Sequence, residues 1–148
     1  MTAYAFAHIV HLFCAVIFVG GVFFETLILS AIHSKQVSRE TRKEVENAIS
    51  RRATRVMPFV VIGVFLSGLV MVHRYTSAFT QPFGSSFSIQ LVFKIALALS
   101  VLVHFIIAVR KMRRGTLTPA WSKYIHRAVL CHMILIVLLA KTMFYLSW

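Results

Sequence analysis

Four stretches of the chain are apolar for long enough to cross a bilayer, and short polar segments separate them. A span needs roughly 20 mostly apolar residues, and the pattern predicts helices at about residues 4–30, 55–74, 87–110 and 121–146. No room is left for a soluble domain. The expected architecture is all-α: one four-helix transmembrane bundle over residues 1–148.

The polar segments differ in character. The first, His33 to Arg55, carries Lys35, Arg39, Arg42, Lys43, Arg51, Arg52 and Arg55 with Glu40, Glu44 and Glu46, an acid–base spacing that suits a short amphipathic helix lying at the headgroups. The second, Tyr75 to Ser86, has Pro82 and Gly84 among Thr and Ser, with only Arg74 at its edge, and reads as a flexible turn. The third, Arg110 to Lys123, is basic again, and Pro119 suits the start of the fourth helix. Cytoplasmic loops collect Lys and Arg, so loops one and three are expected inside and both termini outside, in a multi-pass protein of the cell inner (plasma) membrane. Tyr4, Tyr75, Trp121, Tyr145 and Trp148 lie near the predicted helix ends, as interfacial aromatics do. No basic n-region or small-residue cleavage site precedes the first apolar stretch, so that helix is expected to be retained.

Composition agrees with a lipid solvent: hydrophobic residues are 59% of the chain and mean hydropathy is +0.81, more than a soluble domain of this size could hide in one core. The charge, 16 Lys+Arg against 4 Asp+Glu, is clustered beside the apolar runs. That placement is membrane topology, and it argues against nucleic acid as a partner. Cys14 and Cys131 sit inside apolar runs, where a free cysteine behaves as a small hydrophobe. No internal repeat stands out.

Ionisable side chains within a span are costly enough to be site candidates. They are His8, His11 and Glu25 in the first span, His73 ending the second, Lys94 and His104 in the third, and His126, His132 and Lys141 in the fourth. At about 1.5 Å rise per residue in alternating directions, His8, His11, His73 and Lys94 fall in the outer half and His132 near the middle. His104 and His126 fall in the inner half, and Glu25 and His33 approach the cytoplasmic surface. His8 and His11, three residues apart, can face one interior. Neutral imidazole is an axial ligand to haem iron, and helix bundles hold cofactors between facing helices. Each histidine could instead simply hydrogen-bond a carbonyl of a neighbouring helix. Lys94 would pair with a haem propionate or an acidic substrate group if it points inward, or snorkel to the outer interface. Lys141 is close enough to a helix end to snorkel. Copper is the alternative cofactor: His11 and Cys14 share a helix face, and Cys131-His132-Met133 lies at comparable depth, although neighbours on a helix diverge by about 100° and cannot all face one ion.

The string His11-Leu-Phe-Cys-Ala-Val-Ile-Phe-Val-Gly20-Gly21 resembles the His-x6-Trp-x-Gly-Gly signature of CopD-type membrane domains, with Phe18 at the tryptophan. It is also similar to the first helix of HemJ-type protoporphyrinogen IX oxidases. Arg51-Arg52-Ala-Thr-Arg55, Met57-Pro58 and Leu66-Ser67-Gly68-Leu69 resemble the second helix of both groups, and Leu91-Val-Phe-Lys94-Ile-Ala-Leu their lysine-containing segment, with His104 and a basic cluster following. Glu25 and the spacing from Lys94 to His104 depart from the pattern, and the fourth helix is too generic to compare. The resemblance implies b-type haem in a four-helix bundle. For the HemJ branch it implies six-electron oxidation of protoporphyrinogen, and for the CopD branch copper uptake or tolerance.

These readings combine into an expected haem-b membrane redox protein. It would act on a porphyrinogen, or pass electrons to a membrane acceptor such as a quinone. Copper carriage, or a structural role in a membrane complex, is the alternative. His11 is the first ligand candidate, with His73 or His132 opposite; His8 and His104 line the cofactor, and Lys94 is the candidate catalytic residue. Membrane lipid is a partner, and a homo-oligomer is left open. Gly20 and Gly21 would let another helix or a flat macrocycle approach the backbone.

Overall fold

The computed structural model describes residues 2–146, so Trp148, expected at an interface, lies outside the described residues. Helix α1 (Ala3–Phe23) runs on through a π-helical turn, Phe24–Ile28, and a 3-10 turn, Leu29–His33. Helix α2 (Arg39–Val72) ends in a 3-10 turn, His73–Tyr75; α3 (Ser77–Thr80) is one turn; α4 spans Ser86–Arg113 and α5 Pro119–Thr142. No strand occurs among the described residues. Four helices counted with their continuations, Ala3–His33, Arg39–Tyr75, Ser86–Arg113 and Pro119–Thr142, are long and apolar enough to cross a membrane. They are the four spans the pattern predicts.

The largest difference in boundaries is at the second span. The polar segment expected as a separate surface helix is helical, but it is continuous with the span, giving one helix of 34 residues. At 1.5 Å per residue that is about 51 Å, against a hydrocarbon core of about 30 Å, so the charged turns stand in water or headgroups. The continuity has a local cause: no Gly or Pro occurs between Arg39 and Met57. Ser38 starts the helix, its hydroxyl accepting from the Thr41 N–H at 3.1 Å. Arg42 also ties the helix to the preceding turn by donating to the Ile32 carbonyl at 3.1 Å.

The chain divides after Gly68 into two compact units. In the first, α1 meets α2 where side chains are small. A Cβ on Gly21 would come within 2.7 Å of Met57 Cε, one on Gly63 within 2.7 Å of Cys14 Sγ, and one on Gly68 within 3.4 Å of the His11 ring. The residue numbers rise on one helix as they fall on the other, so the two run antiparallel. Close backbone approach at small residues is how membrane helices gain van der Waals contact without a hydrophobic force between them.

In the second unit α4 and α5 form an antiparallel hairpin. Ser86 with Leu146, Gln90 with Thr142 and Ser100 with His132 are joined by hydrogen bonds. Lys111 lies over the Trp121 ring at 4.8 Å in the same register. The turn is tightly specified. The Gly115 N–H donates to the Met112 carbonyl and the Thr116 N–H to the Lys111 carbonyl, a Schellman closure that needs the positive φ of 66° found at Gly115. Three residues on, Thr118 caps α5 by accepting from the Trp121 N–H at 3.3 Å, and Pro119 takes the first helical position, as expected. At the far end Ala78, Leu91 and Met143 form a small core with Tyr75, Phe87 and Ile95 against it.

Large apolar side chains point outward: Phe59 is 74% exposed, Phe13 66% and Leu69 65%. Among the described residues no large side chain is fully buried. Bare aromatic and leucine side chains on long apolar helices belong in lipid, and the protein is a multi-pass membrane protein.

Candidate functional site

His11 engages α2 by polar chemistry. Its Nδ1 lies 3.0 Å from the carbonyl oxygen of Val64 and 3.2 Å from Ser67 Oγ. A carbonyl only accepts, so the Nδ1 of His11 carries the proton. In the neutral ring, Nε2 then carries the lone pair. Ser67 is buried at 6% exposure, and its hydroxyl lies within hydrogen-bonding distance of the Gly63 and Val64 carbonyls. Ser67 thus holds the acceptor face of α2 in place beneath the imidazole. Gly68 leaves room for the ring edge. The simple alternative, a histidine hydrogen-bonded to a carbonyl of a neighbouring helix, is what Nδ1 does, and it leaves the other nitrogen in the tautomer a metal requires.

Three further histidines in the second unit share that tautomer by another route. His104 Nδ1 donates to the Ser100 carbonyl at 2.7 Å, His126 Nδ1 to the Ser122 carbonyl at 2.8 Å, and His132 Nδ1 to the Ala128 carbonyl at 2.6 Å. Each acceptor is four residues back on the same helix, so these bonds fix ring orientation locally and do not join helices. Ser100 does join them: its hydroxyl lies 3.1 Å from His132 Nε2 and donates to that lone pair. The His104 and His132 rings therefore meet, with centroids 5.7 Å apart, and Tyr124 lies 6.1 Å from His104 on its other side.

His8 is exposed beside Tyr4, ring centroids 6.2 Å apart. His73 is exposed in the 3-10 turn after α2, and Lys94 is half-buried within α4. Cys14 packs on Gly63, on the same side of α1 as His11, and Cys131 is exposed on α5. His33, at the end of the first span, pairs with Glu46 at 3.0 Å, with both side chains more than 40% exposed (42% and 44%). No group of three or more His, Cys, Asp or Glu stands close enough to enclose a metal ion among the described residues.

Sequence reasoning did not single out Ser67, Ser100 or Gln90. The signal was present: each is a polar residue inside an apolar run, and such residues in membranes usually bond across helices. Neither a protein-family model, nor a curated protein, nor a solved structure matches the chain.

Proposed function

We propose that this chain is a haem-b-binding redox protein of the plasma membrane, with His11 as an iron ligand and the basic loops on the cytoplasmic side. One observation carries the reading: the Nδ1–H of His11 is held by the Val64 carbonyl on a neighbouring helix. An outer hydrogen bond of this kind fixes tautomer and ring orientation and raises the basicity of the ligating nitrogen. When bound, haem b supplies one-electron redox chemistry. The protein's part is to hold the imidazole, through Val64 and Ser67, and to keep the surroundings apolar, which favours the less charged iron state.

The substrate class that goes with this reading is a porphyrinogen, which gives up six electrons and six protons on becoming a porphyrin, with a membrane quinone as acceptor. Copper is the second reading, favoured by the packing of His11 and Cys14 against the same helix. Soft thiolate with imidazole suits Cu(I).

Absorption spectroscopy of the protein, purified and then supplemented with haem, tests both. A Soret band that shifts on reduction is expected. Its absence, with copper retained in wild type and lost in Cys14→Ser, would transfer the site to the second reading. Absence of both ligands would leave the chain a structural membrane subunit.

A further inference from the structure

Every Asp and Glu of the chain lies at or before Glu46, so nothing in the second unit can neutralise its cations by an acidic side chain. One end of the α4–α5 hairpin concentrates them: Arg110, Lys111, Arg113 and Arg114 close α4, and Lys123 and Arg127 stand in the first turns of α5. Lys111 is engaged over Trp121. Lys123 and Arg127 are not so placed. Both are exposed, and they border a surface groove of about 440 Å³ lined by Ala120, Lys123, Tyr124, Arg127, Ala128 and Cys131.

The spacing of those residues, three, one, three, one and three, puts all of them on one face of α5. Alanine at 120 and 128 makes the face hollow. Lys123 and Arg127, one turn apart with the same sign, repel each other until an anion lies between them. Tyr124 stands beside them, 57% exposed, held edge-to-face against Trp121 with centroids 5.7 Å apart. Beyond Arg127 the groove continues over Ala128 to Cys131 with no charge. From Ala120 to Cys131 is about 16 Å along the helix, close to half of a hydrocarbon core of about 30 Å. Lys123 and Arg127 occupy the middle of that length, and about 6 Å of uncharged face, over Ala128 and Cys131, lies beyond them.

We infer that this face of α5 binds one anionic phospholipid, its phosphate between Lys123 and Arg127 and the start of an acyl chain over Ala128 and Cys131. Basic pockets on the charged side of membrane helices recognise lipid headgroups through the same chemistry. The inference does not depend on any cofactor.

The test is native mass spectrometry of the full chain released from mild detergent with added phosphatidylglycerol or phosphatidylcholine of equal chain length. One phosphatidylglycerol per chain should be retained and phosphatidylcholine should not. A cation close to an anionic headgroup contributes about a fivefold gain, so Lys123→Gln with Arg127→Gln should weaken retention by about tenfold or more. Arg113→Gln with Arg114→Gln removes the same charge off the groove and should change it by less than about threefold. Cys131→Trp, which fills the apolar end and keeps every charge, should displace the lipid and leave inorganic phosphate binding unaltered. The exchanged pair Lys123→Arg with Arg127→Lys should retain it. Equal loss in both charge variants would mean undirected attraction and overturn the inference. Retention in Cys131→Trp, or phosphate binding as tightly as the lipid, would overturn it as well.

Discussion

His11 on α1 and Val64 on α2 are joined by a hydrogen bond of 3.0 Å in which the imidazole Nδ1–H donates and a main-chain carbonyl accepts. The acceptor survives any ordinary substitution at 64, so the role of the bond is read from the imidazole side. His11→Ala in haem-supplemented protein is expected to abolish the Soret band or shift it strongly, because an iron ligand is lost. His33→Ala removes an exposed imidazole paired with Glu46 near the polar loop and should leave the spectrum as it is. Haem kept in the first variant and lost in the second would overturn the ligand assignment.

Gly63 and Cys14 make a second contact between the same helices, one that depends on volume alone. A methyl group on Gly63 would stand 2.7 Å from Cys14 Sγ, closer than two such atoms sit, so the thiol or the helix must move. Gly63→Ala is expected to lower stability by about 1–3 kcal/mol, the usual cost of overpacking. Cys14→Ala removes the sulfur that is struck. The double variant should therefore recover most of the loss, and thermal unfolding in detergent measures it. Equal destabilisation of the single and double variants would place the clash elsewhere.

Gln90 bears an unsatisfied group. Its Oε1 accepts from the Thr142 hydroxyl at 2.9 Å, while Nε2 is the one buried side-chain nitrogen or oxygen lacking a hydrogen-bond partner among the described residues. A buried donor left unpaired costs about 1–3 kcal/mol. Gln90→Leu removes that donor, and the Thr142 hydroxyl can turn to a carbonyl on its own helix. The variant is expected to unfold at the same temperature as the parent or higher. A clear fall in unfolding temperature would mean that Nε2 has an acceptor in the membrane.

The spans were legible because apolar length is a property of composition along the chain, and lipid imposes it whatever the helices do to one another. The turn at Pro119 was legible for a similar reason, since a missing N–H costs nothing at a first helical position. The start of α2 at Arg39 was not: hydropathy ends at the last apolar residue, while the helix continues through the charged turns because no residue there stops it. His11 could be named as a candidate from its depth. That Val64 accepts its proton could not be read, since a main-chain acceptor leaves no trace in the sequence. Depth alone also set His132 apart from His104, and the structure brings their rings together through Ser100. Depth estimates count residues along each helix and contain no information on which faces meet.

Ser100 supplies the last prediction, because its two polar groups serve different histidines. The carbonyl accepts from His104 Nδ1 and the hydroxyl donates to His132 Nε2. Ser100→Ala deletes only the hydroxyl, so the His104 bond should persist while this one of the links between α4 and α5 is cut. His132→Phe deletes the acceptor and lets the Ser100 hydroxyl fall back on a carbonyl of its own helix. Hydrogen bonds between membrane helices are worth about 0.6 kcal/mol on average, with values up to about 1.7, and the coupling between these two substitutions should fall in that range. A double-mutant cycle on thermal or denaturant unfolding in detergent measures the coupling directly. Strict additivity would mean that the 3.1 Å contact contributes nothing. A Ser100→Ala variant that gained a new absorption band with haem would point further, to a His132 lone pair that the hydroxyl normally occupies and an iron can claim when it is removed.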